Sequence, residues 1–235
     1  MGKMAAGTAH HLNTPLAAML LRLQMMRARV HEESYAADLE RLEAGLRSCQ
    51  HFVQRLLEFS RRTPARKQPE KVSLVIQSVV SFLAPPVLAK RARITLDLDA
   101  ANDKQVLADR NQLEALFSVL LSNALDAIAP EGLIAIRCRR SSGERIEIQI
   151  GDNGCGIAAS DFPRIFEPFF TTKGSGKGTG LGLAIARNIV LEHGGSIWLK
   201  SALNQGTTAF VELPVFRGTT TKEDKHESAR SDAAV

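Results

Sequence analysis

Cysteine is scarce in this 235-residue chain: Cys49, Cys138 and Cys155 stand far apart with no CxxC spacing. Neither a disulfide framework nor a zinc-ligand pattern is present, and a reducing compartment is expected. Aromatic residues make up only 5%, with one Trp and one Tyr, while the net charge is +5. A basic chain raises the question of nucleic acid, but Arg22, Arg27, Arg41, Arg47 and Arg55 are spread over helix faces without interleaved aromatic rings. No nucleic-acid partner is therefore expected; the arginines suit a solvated helix surface or a docking face for an acidic protein. Long apolar runs are missing too. No stretch reaches the roughly 18 consecutive apolar residues that span a bilayer, and no secretory segment follows Met1. No membrane partner is expected within this chain, any anchor or upstream sensor would lie outside it, and a cytoplasmic location is expected. What is present in quantity is apolar material, 44% of the residues, enough for one or two domains with sizeable cores.

Its patterning changes along the chain. Leu12, Leu16, Met19, Leu23, Met26 and Val30 alternate spacings of four and three, and so do Leu39, Leu42, Leu46, Cys49, Val53 and Leu56. The polar stretch His31-Glu32-Glu33-Ser34 between these seams predicts an antiparallel helical hairpin over residues 1–62. One hairpin carries two narrow apolar stripes with nothing to cover them, so a homodimer forming a four-helix bundle is expected in preference to a monomeric hairpin. Residues 63–72, with Pro64 and Pro69 among charges, read as a linker. From 73 to 217 the pattern is mixed. Helices are expected over Ser73 to Leu83, Leu113 to Ile128 and Leu181 to His193. Strands are expected at Ile94 to Leu98, Val106-Leu107, Leu133 to Cys138, Ile146 to Ile150, Gly195 to Leu199 and Thr207 to Leu213. The fold class is α+β: a hairpin followed by a two-layer α/β sandwich with helices on one face of a mixed sheet. Residues 218–235 are polar and of mixed charge, a tail expected to be disordered.

Gly178-Thr179-Gly180-Leu181-Gly182 opens the last of these helices and follows Phe169-Phe170-Thr171-Thr172-Lys173. Glycines let a backbone approach an anion closely, and a helix N-terminus offers it unpaired N–H groups. With Asp152-Asn153-Gly154-Cys155-Gly156 and Ser122-Asn123-Ala124 upstream, the order describes an ATP pocket closed by a phosphate-gripping lid. Near the chain start stands His10-His11-Leu12-Asn13-Thr14-Pro15. His10 and His11 face away from the seam, where an accessible imidazole is able to take a phosphoryl group. His10 and Thr14, four apart, share a helix face, and Pro15 bends the helix beside His11.

Together these residues resemble the catalytic core of two-component sensor histidine kinases over about Met4 to Phe216. His10 to Leu16 resembles the H box, Ser118 to Ala127 the N box, Asp152 to Gly156 the G1 box, Phe166 to Phe170 the F box and Gly178 to Gly182 the G2 box. The resemblance implies autophosphorylation on His10 with ATP and Mg²⁺, then transfer to an aspartate on a response-regulator receiver domain. It implies that Asp152, with Thr208 beside it, accepts from the adenine amino group and that Asn123 offers an oxygen to the metal. Gly154, Gly156, Gly178, Thr179, Gly180, Leu181 and Gly182 would shape the nucleotide site, and Lys173 or Lys177 would neutralise terminal phosphates. Thr14 occupies the position that would orient a hydrolytic water for phosphatase activity. Two positions depart from the family pattern: His11 replaces the usual acidic neighbour of the phosphorylated histidine, and Val119 replaces a first asparagine one turn before Asn123. Cys49, on the seam, is expected to be a buried hydrophobe rather than a redox site. The alternative function is a weak or inactive nucleotide-binding scaffold or phosphotransfer adaptor.

Overall fold

The computed structural model describes residues 65–217 apart from 102–103, 142–143 and 174–178, together with most of 16–26 and of 39–47. His10, His11, Thr14, Cys49, Lys177, Gly178 and the tail beyond 217 lie outside the described residues.

Both hairpin stretches are helical. Gln24 Nε2 donates to Glu43 Oε1 at 3.2 Å, joining one stretch to the other, and the Arg47 guanidinium holds the same carboxylate oxygen at 2.6 Å. Leu39 and Glu43 are buried, whereas Met19, Met26 and Leu42 are more than half exposed in the single chain.

Beyond the hairpin, β1 (Gln68–Lys71) pairs antiparallel with β3 (Gln105–Ala108). Four residues expected to be linker are therefore strand. Their apolar content gave no sign of it, because the inward residue is Glu70, which accepts from Gln68 Nε2 at 2.9 Å and faces Arg110. Helix α1 (Val72–Phe82) follows directly, and α2 (Ala84–Ala89) takes Pro85 and Pro86 in its first turn, where a missing N–H costs nothing.

The main sheet holds β2 (Arg93–Asp97), β4 (Leu133–Ser141), β5 (Arg145–Asp152), β6 (Ser196–Ser201) and β7 (Thr207–Pro214), in the order β2-β4-β5-β7-β6. The β2–β4 pair is parallel and the others are antiparallel. Alternation sets the faces: Ile134, Ile136 and Cys138 on β4, Ile146, Ile148 and Ile150 on β5, and Ala209, Val211 and Leu213 on β7 are buried. They pack against α1, α3 (Arg110–Ala127) and α4 (Gly182–Glu192), giving the expected two-layer sandwich. Burial pushes the Cys138 thiol up to about 12, so it serves as a small core hydrophobe.

Helix α3 is capped by Asp109, whose Oδ1 accepts from the N–H groups of Asn111 and Gln112. At its other end Lys90 Nζ donates to the Leu125 carbonyl at 2.6 Å, satisfying one of the last-turn acceptors. Leu113, Leu116, Phe117, Leu120, Leu121 and Ala124 form its buried stripe, which leaves Val119, Asn123 and Asp126 on a neighbouring face.

Candidate functional site

Above the end of β5, between α3, α4 and the segment before α4, lies a cavity of 810 Å³, large enough for a nucleotide. Asn123, Asp152, Gly156, Lys173, Thr179, Gly180 and Gly182 line it. Seven of the residues singled out from the sequence, drawn from four separate stretches, thus meet at one place.

Asp152 is the last residue of β5. Its Oδ1 accepts from the Gly154 N–H at 2.8 Å and from the Thr207 N–H at 3.2 Å. Burial holds its carboxyl above the usual carboxylate range, and those two backbone donors pull the other way. One oxygen is thus committed to shaping the turn, and the second remains available to accept from a ligand donor. Gly154 itself is not on the cavity wall. A Cβ there would stand 2.5 Å from the Ala127 backbone, so its role is to let the turn pack on the end of α3. Asn153 closes the same turn onto β4, accepting from the Leu133 N–H at 2.8 Å.

Thr208 is displaced from its expected place. Side chains alternate along β7, and since Ala209 and Val211 face the helices, Thr207 faces them too while Thr208 lies on the opposite side of the sheet, against Gly151. Thr207, with Ala209, lines the cavity. The period-two pattern of buried apolar residues on β7 is the sequence signal that could have pointed to Thr207.

The lid is anchored where Phe169 and Gly180 meet. Phe169 donates its N–H to the Gly180 carbonyl at 2.9 Å, and both residues have positive φ, 70° and 64°. A Cβ on Gly180 would lie 2.3 Å from the Phe169 carbonyl carbon, so glycine is required there. Arg164 sits over the Phe170 ring, 4.6 Å from its centroid. Leu181 is fully buried and anchors the start of α4, off the cavity wall. Thr179 Oγ1 accepts from the Leu181 N–H at 3.4 Å.

Lys173 reaches back from the lid to α3. Its ammonium donates to Asp126 Oδ2 at 2.6 Å and to Asn123 Oδ1 at 3.3 Å. Asp126, which also lines the cavity, escaped the sequence reading; its spacing of three from Asn123 was the available signal. Among the described residues no group of three or more His, Cys, Asp or Glu side chains is placed to hold a metal ion. The amide and carboxylate oxygens of Asn123 and Asp126 do fit a hard divalent cation that is completed by phosphate and water oxygens. Cys155 is exposed in the G1 turn and also lines the cavity.

Fold and site together define an ATP-binding sandwich joined to a helical hairpin. Residues 108–217 match the family described as histidine kinase-, DNA gyrase B-, and HSP90-like ATPase, and residues 1–65 match the His Kinase A (phospho-acceptor) domain. The chain belongs to the two-component sensor histidine kinases, of which it comprises the catalytic core. The signal transduction histidine-protein kinase AtoS of Escherichia coli is 34% identical over 220 residues, covering 92% of this chain and 35% of AtoS. The sensor protein FixL of Bradyrhizobium diazoefficiens is 32% identical over 223 residues, covering 91% of this chain and 43% of FixL. This chain thus spans less than half the length of either relative. Among solved structures, full-length ShkA in complex with AMPPNP superimposes with a TM-score of 0.75 over 92% of this chain and 46% of ShkA, at 22% identity, a likeness of fold. The catalytic domain of histidine kinase ThkA is 29% identical with a TM-score of 0.57, covering 63% of this chain and 95% of that domain. Among the described residues no helix is long and apolar enough to cross a membrane.

Proposed function

We propose that this chain binds Mg²⁺–ATP in the cavity beside Asp152, phosphorylates His10, and passes the phosphoryl group to an aspartate of a response-regulator receiver domain. The observation that carries the reading is a half-buried carboxylate with one oxygen left to a ligand, lining the same cavity as the side-chain oxygens of α3, Lys173 and Gly180. Asp152 accepts from the adenine amino group. Asn123 holds the metal, which when bound supplies charge neutralisation for the phosphates. Lid groups exclude water and fix the phosphate chain. An imidazole nitrogen of His10 displaces ADP from the γ-phosphorus, and His11, in place of the family's carboxylate, orients or deprotonates that ring. A carboxylate oxygen on the receiver then displaces His10 from the same phosphorus. Thr14, one turn on, orients a water that attacks the receiver's aspartyl phosphate, releasing inorganic phosphate and reversing the signal. The family dimerises through its hairpins and signals to response regulators. In this chain the exposed Met19, Met26 and Leu42 supply the face for a second copy.

The test is incubation of the purified chain with γ-labelled ATP. Acid-labile, alkali-stable label is expected, lost in His10→Gln, slowed by about 100-fold in His11→Gln and restored in His11→Glu. Full labelling of His10→Gln, or phosphate located on His11 in the wild type, overturns the assignment. An unlabelled chain that still binds ATP would favour the scaffold.

A further inference from the structure

Val119, Asn123 and Asp126 are spaced four and three apart, so they form one stripe on the cavity side of α3, and all three line the cavity. Position 119, which normally offers an amide oxygen in this family, here offers methyl groups. Val119 packs at the start of α4, where a Cβ built on Gly182 would come within 3.1 Å of its Cγ1. An oxygen is therefore missing on one side of Asn123 and a carboxylate oxygen stands on the other. Those two remaining oxygens already hold a cation, since the Lys173 ammonium sits 2.6 Å from Asp126 Oδ2 and 3.3 Å from Asn123 Oδ1.

Two physical consequences follow. A bare carboxylate on the wall of a cavity that receives a polyphosphate repels it, and the lysine cancels that repulsion until a stronger cation arrives. Both partners of the ion pair are also partly exposed, 35% for Lys173 and 57% for Asp126, and such pairs are weak enough to exchange. A divalent ion carried in on nucleotide phosphates needs the same hard oxygens and brings twice the charge. Ammonium and metal cannot both occupy them.

Building on the ATP-binding reading, we infer that Asp126 and Asn123 form the protein half of the nucleotide–metal site, and that Lys173 is its resident cation in the nucleotide-free protein. The Lys173 ammonium gives up those oxygens to the incoming metal ion. Asp126 thereby supplies, from the opposite side of Asn123, the oxygen that the Val119 side chain does not have.

The test is calorimetric titration of the full chain with ADP, with and without Mg²⁺, reading the ratio of the two dissociation constants. Asp126→Asn removes a metal oxygen's charge and a source of repulsion, so metal-free ADP binds as well or better while Mg²⁺–ADP binds worse; the ratio falls about fivefold or more. Lys173→Gln acts oppositely: metal-free ADP weakens, the metal no longer competes with an ammonium, and the ratio rises. Lys173→Gln combined with Asp126→Asn abolishes that rise. Unchanged ratios in both single variants, or a rise that survives Asp126→Asn, overturns the inference in favour of a plain surface ion pair. A wild type that binds no ADP even with Mg²⁺ instead refutes the nucleotide reading, so the two failures are distinct. Thermal melting checks that each half-exposed substitution leaves the fold intact.

Discussion

Asp152 has two tasks, and its oxygens divide them. Oδ1 accepts the Gly154 and Thr207 N–H groups, and the remaining oxygen is left for a ligand. Asp152→Ala would remove both tasks at once, leaving two backbone donors unpaired at about 1–3 kcal/mol each, and so would confuse unfolding with weakened binding. Asp152→Asn separates them. Its amide oxygen still accepts both N–H groups, while its NH₂ confronts the adenine amino group donor to donor. ATP affinity should drop by at least about 1.5–3 kcal/mol in calorimetry, with the domain still folded. Because burial raises the folded carboxyl's pKa, the folded state holds this proton more tightly than the unfolded chain does. The group's contribution to stability is thus fully present below the unfolded pKa and is lost as pH rises through the folded value. At neutral pH Asp152→Asn should therefore melt no lower than wild type. Nucleotide affinity has the opposite sign: it needs the ionised form, so wild-type ATP binding should weaken on acidification from a higher pH than an ordinary carboxylate would give. An ATP affinity flat between pH 7 and the usual carboxylate range would remove Asp152 from the adenine contact.

Elements around the site are tied by contacts that apolar periodicity does not show, which decides what was legible in the sequence. α3 and the glycine turn before α4 were evident because helical apolar spacing and Gly-rich runs are strong signals. β1 was not, since its buried residue is a glutamate and its pairing with β3 is made by main-chain groups. The same holds for His193, the C-cap of α4. Its Nδ1–H donates to the Ile189 carbonyl at 2.7 Å and its Nε2 accepts from the Asp109 N–H at 3.1 Å, so one buried imidazole joins the C-terminus of α4 to the cap of α3. The segment leading into β1 is bound to the same corner, with the Arg66 N–H on Asp109 Oδ2 and Lys67 Nζ on the Glu192 carbonyl. His193→Ala should destabilise the domain by about 2–4 kcal/mol, through a cavity and two orphaned backbone groups, read as a lower urea midpoint at unchanged m-value. Gly180→Ala should act locally instead. Its positive φ costs about 1–2 kcal/mol for a residue with a Cβ, and the clash with Phe169 breaks the lid anchor. Nucleotide affinity should fall about tenfold or more while the melting temperature of the sandwich changes by only a few degrees. Equal loss of both in Gly180→Ala would show that the lid is part of the folding core.

At the scale of the whole molecule, each part of the site was readable because its chemistry is local: a carboxylate before a glycine turn, an amide on a helix, glycines before another helix. Thr207 and Asp126 were harder to read, because choosing Thr207 over Thr208 needs the strand's face, and Asp126 shares only a helical spacing with Asn123 until Lys173, 47 residues away, draws the two together. The hairpin poses the same problem between copies. Its internal seam takes in Leu39 and also Glu43, a charged residue that an apolar pattern skips, and Gln24 bonds to Glu43 across it. Leu42, read from the sequence as part of the same seam, is more than half exposed in the single chain, as are Met19 and Met26. An apolar stripe on a two-helix unit is stabilised by a second such unit, with about 25 cal/mol gained per Å² buried. Met19→Glu combined with Leu42→Glu places charge at two of those exposed positions and leaves the Gln24–Glu43–Arg47 bonds inside the hairpin untouched. The wild type should sediment as a dimer at roughly tens of micromolar, and the double variant as a folded monomer whose ATP-binding domain melts unchanged. Retained dimerisation in the variant would locate the interface elsewhere on the chain, and a monomeric wild type would remove the four-helix bundle altogether.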